Sequence, residues 1–384
     1  MTNDNTKSFE DIILEVIKED FNSKYKDIFD KSLLLQYVKI KTKSAERGSK
    51  SRSSFANLYA IYVLVEDYLK GGYDKSGKYK DYEGAIFTNL FRRQRELPFG
   101  GKLQNHALNN RLNEEYKKFF PTSDQLPIIR DVAKNRYWFN ENLLEVYLDN
   151  KSYNIAKTVI KIINKYIEVK KASFEIFLKE CEEIIKLEKA DNNKAIDFIK
   201  GLLAPNVDAR IFEIVSYSIL KYYYSEEIVY FGFSLENIKK YNLILYRTGR
   251  TNANDGGIDF VMKPLGRFFQ VTETTDVHKF FLDIDKVERY PVTFVIKSND
   301  DVPLILEKMR EKAEEIYKIK AIVQKYMGCI EELINIPKLI EYFDKAIDRG
   351  YLKSIIQEIV IESKVEFNIS EFNISEEDID EEEN

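Results

Sequence analysis

Four short runs between residues 243 and 296 constrain this chain more than anything else in it: LILYR, IDFVM, RFFQV and VTFVI. Each is rich in β-branched and aromatic residues and bounded by turn formers, so each reads as a strand in a chain otherwise patterned for helix. Lys-Pro-Leu-Gly at 263–266 joins the second run to the third, which predicts an antiparallel hairpin. Side chains alternate along the third run, so Phe268, Gln270 and Thr272 share one face and Phe269, Val271 and Glu273 the other. Asp259 opens the preceding strand directly after Gly256-Gly257. A hairpin this short brings its opening residue near the closing residues of its partner, so Asp259, Gln270 and Thr272 are expected to converge.

Around these strands the apolar period is helical. Residues 8–46 carry it until KTKSAERGSKSRSS breaks it, and Phe55, Leu58, Tyr62, Val65 and Leu69 resume it. AIFTNLFRRQREL reads as a helix closed by PFGG. Residues 106–200 read as predominantly helical, LLEVYL included. A helix is expected at 208–224, and another at 277–287 whose polar face carries Lys279, Asp283 and Lys286. Helical periodicity returns from Val302 to about Ile361. The expected fold class is mixed α+β or α/β. A mainly helical region is expected over 1–200, the strand-bearing core over 201–300, a helical extension over 301–374, and an acidic disordered tail over 375–384.

Composition excludes several chemistries. Two cysteines and two histidines leave no disulfide framework, zinc ribbon or histidine-based nucleophilic site. No apolar run approaches the roughly 18 residues of a membrane span, and the N-terminus lacks the layout of a signal peptide. A cytoplasmic protein without membrane association is expected. The net charge of −5 hides a basic region: residues 36–111 hold 15 Lys and Arg against 7 Asp and Glu. Within or near it Lys41, Lys43, Arg47, Lys50, Arg52, Arg92, Arg93 and Arg95 are suited to neutralising phosphates, as are Arg247 and Arg250 further on. Gln94, Gln104 and Asn105 are conceivable base readers.

Hard divalent cations such as Mg²⁺ take oxygen ligands, often one or two carboxylates completed by water and phosphate. Asp259 supplies a carboxylate, Gln270 an amide oxygen, and Glu213 on the 208–224 helix is the natural third member. A metal there would polarise a phosphodiester and activate a water with no histidine. Asp255-Gly256-Gly257-Ile258-Asp259, then Gln270-Val271-Thr272 after ten residues, resembles the PD-(D/E)XK nuclease signature. More narrowly it resembles the Mrr-like "GGID…QxK" form. Together with the SKSRSSFANLYAIYVLVEDYL helix, it is similar to the ApaLI-like type II restriction endonucleases. The resemblance implies a central mixed sheet flanked by helices, a metal on Asp259 and Gln270, and assistance from Glu213.

The sequence departs from that pattern at one place. Thr272 stands where the family has a lysine that orients the attacking water and stabilises developing charge. Three replacements are open: Glu273 turned inward by a bulge, Lys279 or Lys286 reaching in from the next helix, or Lys263 at the distant turn. Alternatively the metal and Thr272 suffice.

The expected function is therefore a Mg²⁺-dependent type II restriction endonuclease cutting specific double-stranded DNA. A homodimer matches a palindromic site most simply. The resemblance also implies a cognate DNA methyltransferase in the same restriction-modification system. Two other readings stay open: an Mrr-like nuclease for modified or damaged DNA, and a catalytically degenerate nuclease fold that only binds DNA.

Overall fold

The computed structural model describes residues 8–43, 51–75, 77–101, 103–186, 192–248 and 258–367, with the backbone alone at 51–53 and 367. The chain divides into two compact units, one comprising residues up to Phe177 and those from Lys364 on, the other Leu178–Ser363.

In the first unit Ser8 starts α1 (Phe9–Phe21) with a reciprocal cap. Its hydroxyl accepts from the Asp11 amide at 3.2 Å, while the Asp11 carboxylate accepts from the Ser8 amide at 3.0 Å. The short helices α2 (Tyr25–Lys31) and α3 (Leu33–Thr42) follow, and then α4 (Ser51–Lys70). Leu58, Tyr59, Ala60, Ile61, Leu64 and Val65 of α4 are wholly buried, which marks a central helix rather than one with a single apolar stripe. β1 (Ala85–Ile86) leads into α5 (Phe87–Glu96), and α6 (Leu112–Phe119) follows a π-helical turn. β2 (Ile128–Asp131) and β3 (Arg136–Phe139) pair antiparallel, and β1 completes a sheet of order β1-β3-β2. β4 (Glu145–Leu148) and β5 (Lys151–Asn154) form a second hairpin before the long α7 (Ala156–Ile185).

Residues 106–200 thus hold four strands where helix was expected. LLEVYL shows why. Val146 and Leu148 are buried and Tyr147 between them is exposed, a period of two. An apolar run of six residues fits either period, and its pairing with β5 settles the matter.

The second unit opens with α8 (Asn192–Gly201) and α9 (Ala209–Tyr224), the latter capped by Asp208, whose carboxylate accepts from the Arg210 amide at 2.9 Å. β6 (Ile228–Phe231) and β7 (Lys239–Asn242) make a separate hairpin. β9 (Phe260–Lys263) and β10 (Arg267–Thr272) form the antiparallel hairpin read from the sequence, and β8 (Ile244–Arg247) extends it to a meander by pairing antiparallel with β9. Gly266 closes the β9–β10 turn at φ 69°, a backbone region costly for other residues. A crossover through α10 (Val277–Lys286) returns β11 (Val292–Ile296) parallel to β10. α11 (Val302–Tyr317) and α12 (Lys320–Met327) then lead to β12 (Ile330–Ile334), which pairs parallel with β11. The five strands run in the order β12-β11-β10-β9-β8. α13 (Ile336–Asp348) and α14 (Leu352–Phe367) end the described chain.

Every residue of β11 is buried, as expected of a strand covered on both faces. On one face α10 packs Phe280 against Phe294, with ring centroids 4.3 Å apart, and Phe268 joins that cluster. On the other, α9 sets Tyr217 against Phe260 at 5.3 Å and Tyr224 against Phe269 at 6.2 Å. The chain is therefore a mixed α and β protein. The sheet outruns the expected 201–300 segment, because IEELI, set among helical patterns, is strand β12. The acidic tail at 375–384 lies outside the described residues. Among the described residues no helix is long and apolar enough to cross a membrane.

Candidate active site

Asp259 stands just before β9, and its side chain meets Gln270 of β10. Phe260 pairs with Phe269 across the hairpin, and one step outward the Asp259 amide donates to the Phe269 carbonyl at 3.1 Å. The Asp259 carboxylate accepts from Gln270 Nε2 at 2.7 Å and from the Val271 amide at 2.8 Å, both on Oδ2. Gln270 is 7% exposed, and its Oε1 has no hydrogen-bond partner among the described residues. A buried acceptor left unpaired costs about 1–3 kcal/mol. Here it is an amide oxygen held beside a carboxylate.

Thr272 follows on the same face. Its hydroxyl lies 3.3 Å from the Thr274 amide and accepts from Lys279 Nζ at 3.1 Å. Lys279 stands in the first turn of α10, which Asp276 caps by accepting from the His278 amide at 3.0 Å. Of the replacements open for the absent lysine, this is the one that reaches Thr272. Lys286 instead pairs with Asp283 at 2.7 Å. The β10–β11 pairing is continuous, so no bulge turns Glu273 inward. Glu273 bonds Lys297 at 2.7 Å on the α9 side of the sheet. Lys263 lies over the Tyr246 ring, 4.9 Å from its centroid, at the far turn.

Glu213 does not join Asp259. Its carboxylate is bound by Arg247 at 2.9 Å, and Arg247 reaches Glu362 at 2.6 Å with its other nitrogen. Arg247 pairs in register with Phe260, which packs on Tyr217 of α9. Alternation then puts Gln270 on the opposite, α10 face. Nearby, burial together with Glu358 and Glu362 holds the Tyr217 phenol above its usual range, and it remains a donor to the Leu245 carbonyl at 3.3 Å.

The donor set tests the expected Mg²⁺. Asp259 and Gln270 offer one carboxylate and one unsatisfied amide oxygen, which fits a hard cation that draws its other ligands from water and phosphate. Glu213, neutralised by an arginine, does not fit. Among the described residues no three His, Cys, Asp or Glu side chains gather as a metal group. Thiol chemistry has no footing: burial pushes Cys181 up to about 12 and also raises Cys329.

The basic residues expected on DNA divide sharply. Lys41 is buried and paired with Glu115 at 2.7 Å, and Arg93 grips Glu66 through two bonds of 2.8 and 2.9 Å. Arg247 is taken up as described. Lys41 and Arg247 are buried structural ion pairs, a correction to the phosphate-contact reading, while Arg93 keeps 38% of its side chain exposed. Gln94, a conceivable base reader, is wholly buried. Lys43, Arg92 and Arg95 are exposed, Arg95 donating to the Gly101 carbonyl at 2.7 Å. Arg47, Lys50 and Arg250 lie outside the described residues, as does the side chain of Arg52.

Sequence reading passed over Lys297 and Glu362. Lys297 has 2% of its side chain exposed, bonds Glu273 and donates to the Val207 carbonyl. A lysine ending the apolar run VTFVI was the available signal, but its partner depends on the parallel register. Glu362 lies 115 residues from Arg247, with no local pattern joining them.

Comparison with known proteins gives no match: no family model, no curated protein and no solved structure aligns with this chain. The geometry stands alone.

Proposed function

We propose that this chain is a Mg²⁺-dependent endonuclease that hydrolyses phosphodiester bonds in specific double-stranded DNA, a type II restriction endonuclease of the PD-(D/E)XK kind acting as a homodimer. The observation that carries the reading is the hairpin pair Asp259–Gln270, with Lys279 on Thr272 two residues further along the same face. A carboxylate, a free amide oxygen and an ammonium at one end of a rigid sheet are what metal-assisted phosphodiester hydrolysis needs.

Asp259 and Gln270 would hold the cation, which when bound polarises the phosphate and lowers the pKa of an attacking water. The Val271 amide and the Gln270 Nε2 fix the Asp259 carboxylate in place before any ligand arrives. Lys279, steadied by Thr272, directs positive charge to where the phosphate oxygens gain negative charge in the transition state. Exposed Arg92 and Arg95 offer contacts to the DNA backbone.

Plasmid incubated with the purified protein and Mg²⁺, beside an EDTA control, tests the reading. Discrete fragments that EDTA abolishes are expected. Cutting confined to modified DNA would move the substrate to the Mrr-like class. Binding with no cutting under any divalent cation would leave a DNA-binding module and overturn the nuclease reading.

A further inference from the structure

We propose that Asp283 is the second carboxylate of the cation site formed by Asp259 and Gln270, filling the place that Glu213 does not. The inference rests on the nuclease reading and adds a residue to its site.

Asp283 is an unusual acid. It lies on the stripe of α10 that carries Lys279 and Lys286, both exposed, yet it is itself only 2% exposed. One of its oxygens takes Lys286 at 2.7 Å, and the other, Oδ2, has no partner among the described residues. A buried carboxylate with an unsatisfied oxygen is costly unless something fills the gap. Gln270 Oε1 is in the same condition. Both atoms are acceptors, so neither can satisfy the other. A cation or a water would satisfy either of them.

The path of the chain brings them level. β10 and β11 are parallel, so the crossover helix α10 runs back along β10. Lys279 on Thr272 anchors the two elements at one height. From Lys279 to Asp283 the helix advances about 6 Å, at roughly 1.5 Å per residue. From Thr272 back to Gln270 the strand covers about 6.6 Å, at roughly 3.3 Å per residue. Asp283 therefore comes level with Gln270 on the α10 face. The direction also agrees. Phe281, about 200° from Asp283 around the helix, stacks on Tyr317 and Tyr326 at 5.0 and 4.3 Å. The stripe of Asp283 is thus turned away from α11 and α12, toward the β9 side of the sheet.

Asp259, Asp283 and Gln270 together present two negative charges and one neutral oxygen, matched to a divalent cation completed by water and phosphate. Lys286 is the placeholder. Its side chain is 37% exposed, so it can leave Asp283 for solvent when the cation enters.

Binding of Mn²⁺, followed by loss of the free-ion electron paramagnetic resonance signal, tests this without any turnover. Asp283→Asn should weaken Mn²⁺ binding about tenfold or more, at least the loss seen when an outer partner of a metal ligand is removed. Lys286→Met should tighten it, since the competing ammonium is gone; a purely structural Asp283 would give no such gain. If Asp283→Asn unfolds cooperatively and binds Mn²⁺ as the unaltered chain does, while Asp259→Asn does not bind, Asp283 is not a ligand and the nuclease reading survives. If the unaltered chain takes up no Mn²⁺, with or without duplex DNA, both fall.

Discussion

Lys279 on α10 places its ammonium 3.1 Å from the hydroxyl of Thr272 on β10. Thr272 is two residues beyond Gln270 on the same face, where the resemblance calls for a lysine. A threonine side chain is neutral and brings no charge to a scissile phosphate. Its hydroxyl accepts from, and so steadies, the ammonium delivered by the neighbouring helix.

Lys279→Ala should therefore lower the single-turnover cleavage rate about 10²-fold or more, the scale of one lost electrostatic contact in the transition state, with little change in DNA affinity. Lys286→Ala should leave that rate far less affected. Thr272→Lys should add nothing, because the site already has its cation. Normal cutting by Lys279→Ala, with a faster Thr272→Lys, would remove Lys279 from the mechanism.

The Glu213–Arg247–Glu362 cluster is read as structural. The side chains are 12%, 8% and 18% exposed, so removing the arginine takes an ion-pair partner from two largely buried acids. Arg247→Met should cost about 3–5 kcal/mol of stability, the usual loss when one partner of a buried pair is deleted. Glu213→Gln should cost less, since Glu362 still pairs with Arg247, and should keep its response to Mg²⁺. Urea unfolding beside cleavage rates separates the two roles. A fully stable but inactive Glu213→Gln protein would restore Glu213 to the catalytic site.

Arg92 and Arg95 are the exposed cations of α5, and Arg93 between them is committed to Glu66. Each phosphate contact contributes about 0.9 to the slope of log K against log salt. Replacing Arg92 and Arg95 together with Ala should flatten that slope by about 1.8. Arg93→Ala should leave it unchanged while lowering stability. An unchanged slope in the double variant would take α5 off the DNA backbone.

The hairpin was legible because its evidence is local. Alternation in RFFQV, a Pro-Gly reversal and an acid at the opposite end are enough to bring the Asp259 side chain to Gln270. The spacing of Val277, Phe280, Phe281, Ile284 and Val287 predicts the apolar face of α10; the first four are buried and Val287, at the helix end, is half-buried. Partners set by distant pairing were not legible. Glu213 looked available because Arg247 and Glu362 join it only after β8 and α14 pack. Lys41 looked like a phosphate contact because Glu115, 74 residues away, carries no local mark of the pairing. β12 hid among helices because five apolar-rich residues fit either period until β11 pairs with them.

The most direct test is single-turnover cleavage of duplex DNA in Mg²⁺ by the unaltered chain and by Asp259→Asn, with binding in Ca²⁺ measured alongside. The substitution keeps the shape of the side chain and removes the charge that a hard cation requires. Cleavage by the unaltered protein is expected to be lost in Asp259→Asn, while Ca²⁺-supported binding and cooperative unfolding persist. An Asp259→Asn protein that cuts at the unaltered rate would contradict the account at its centre.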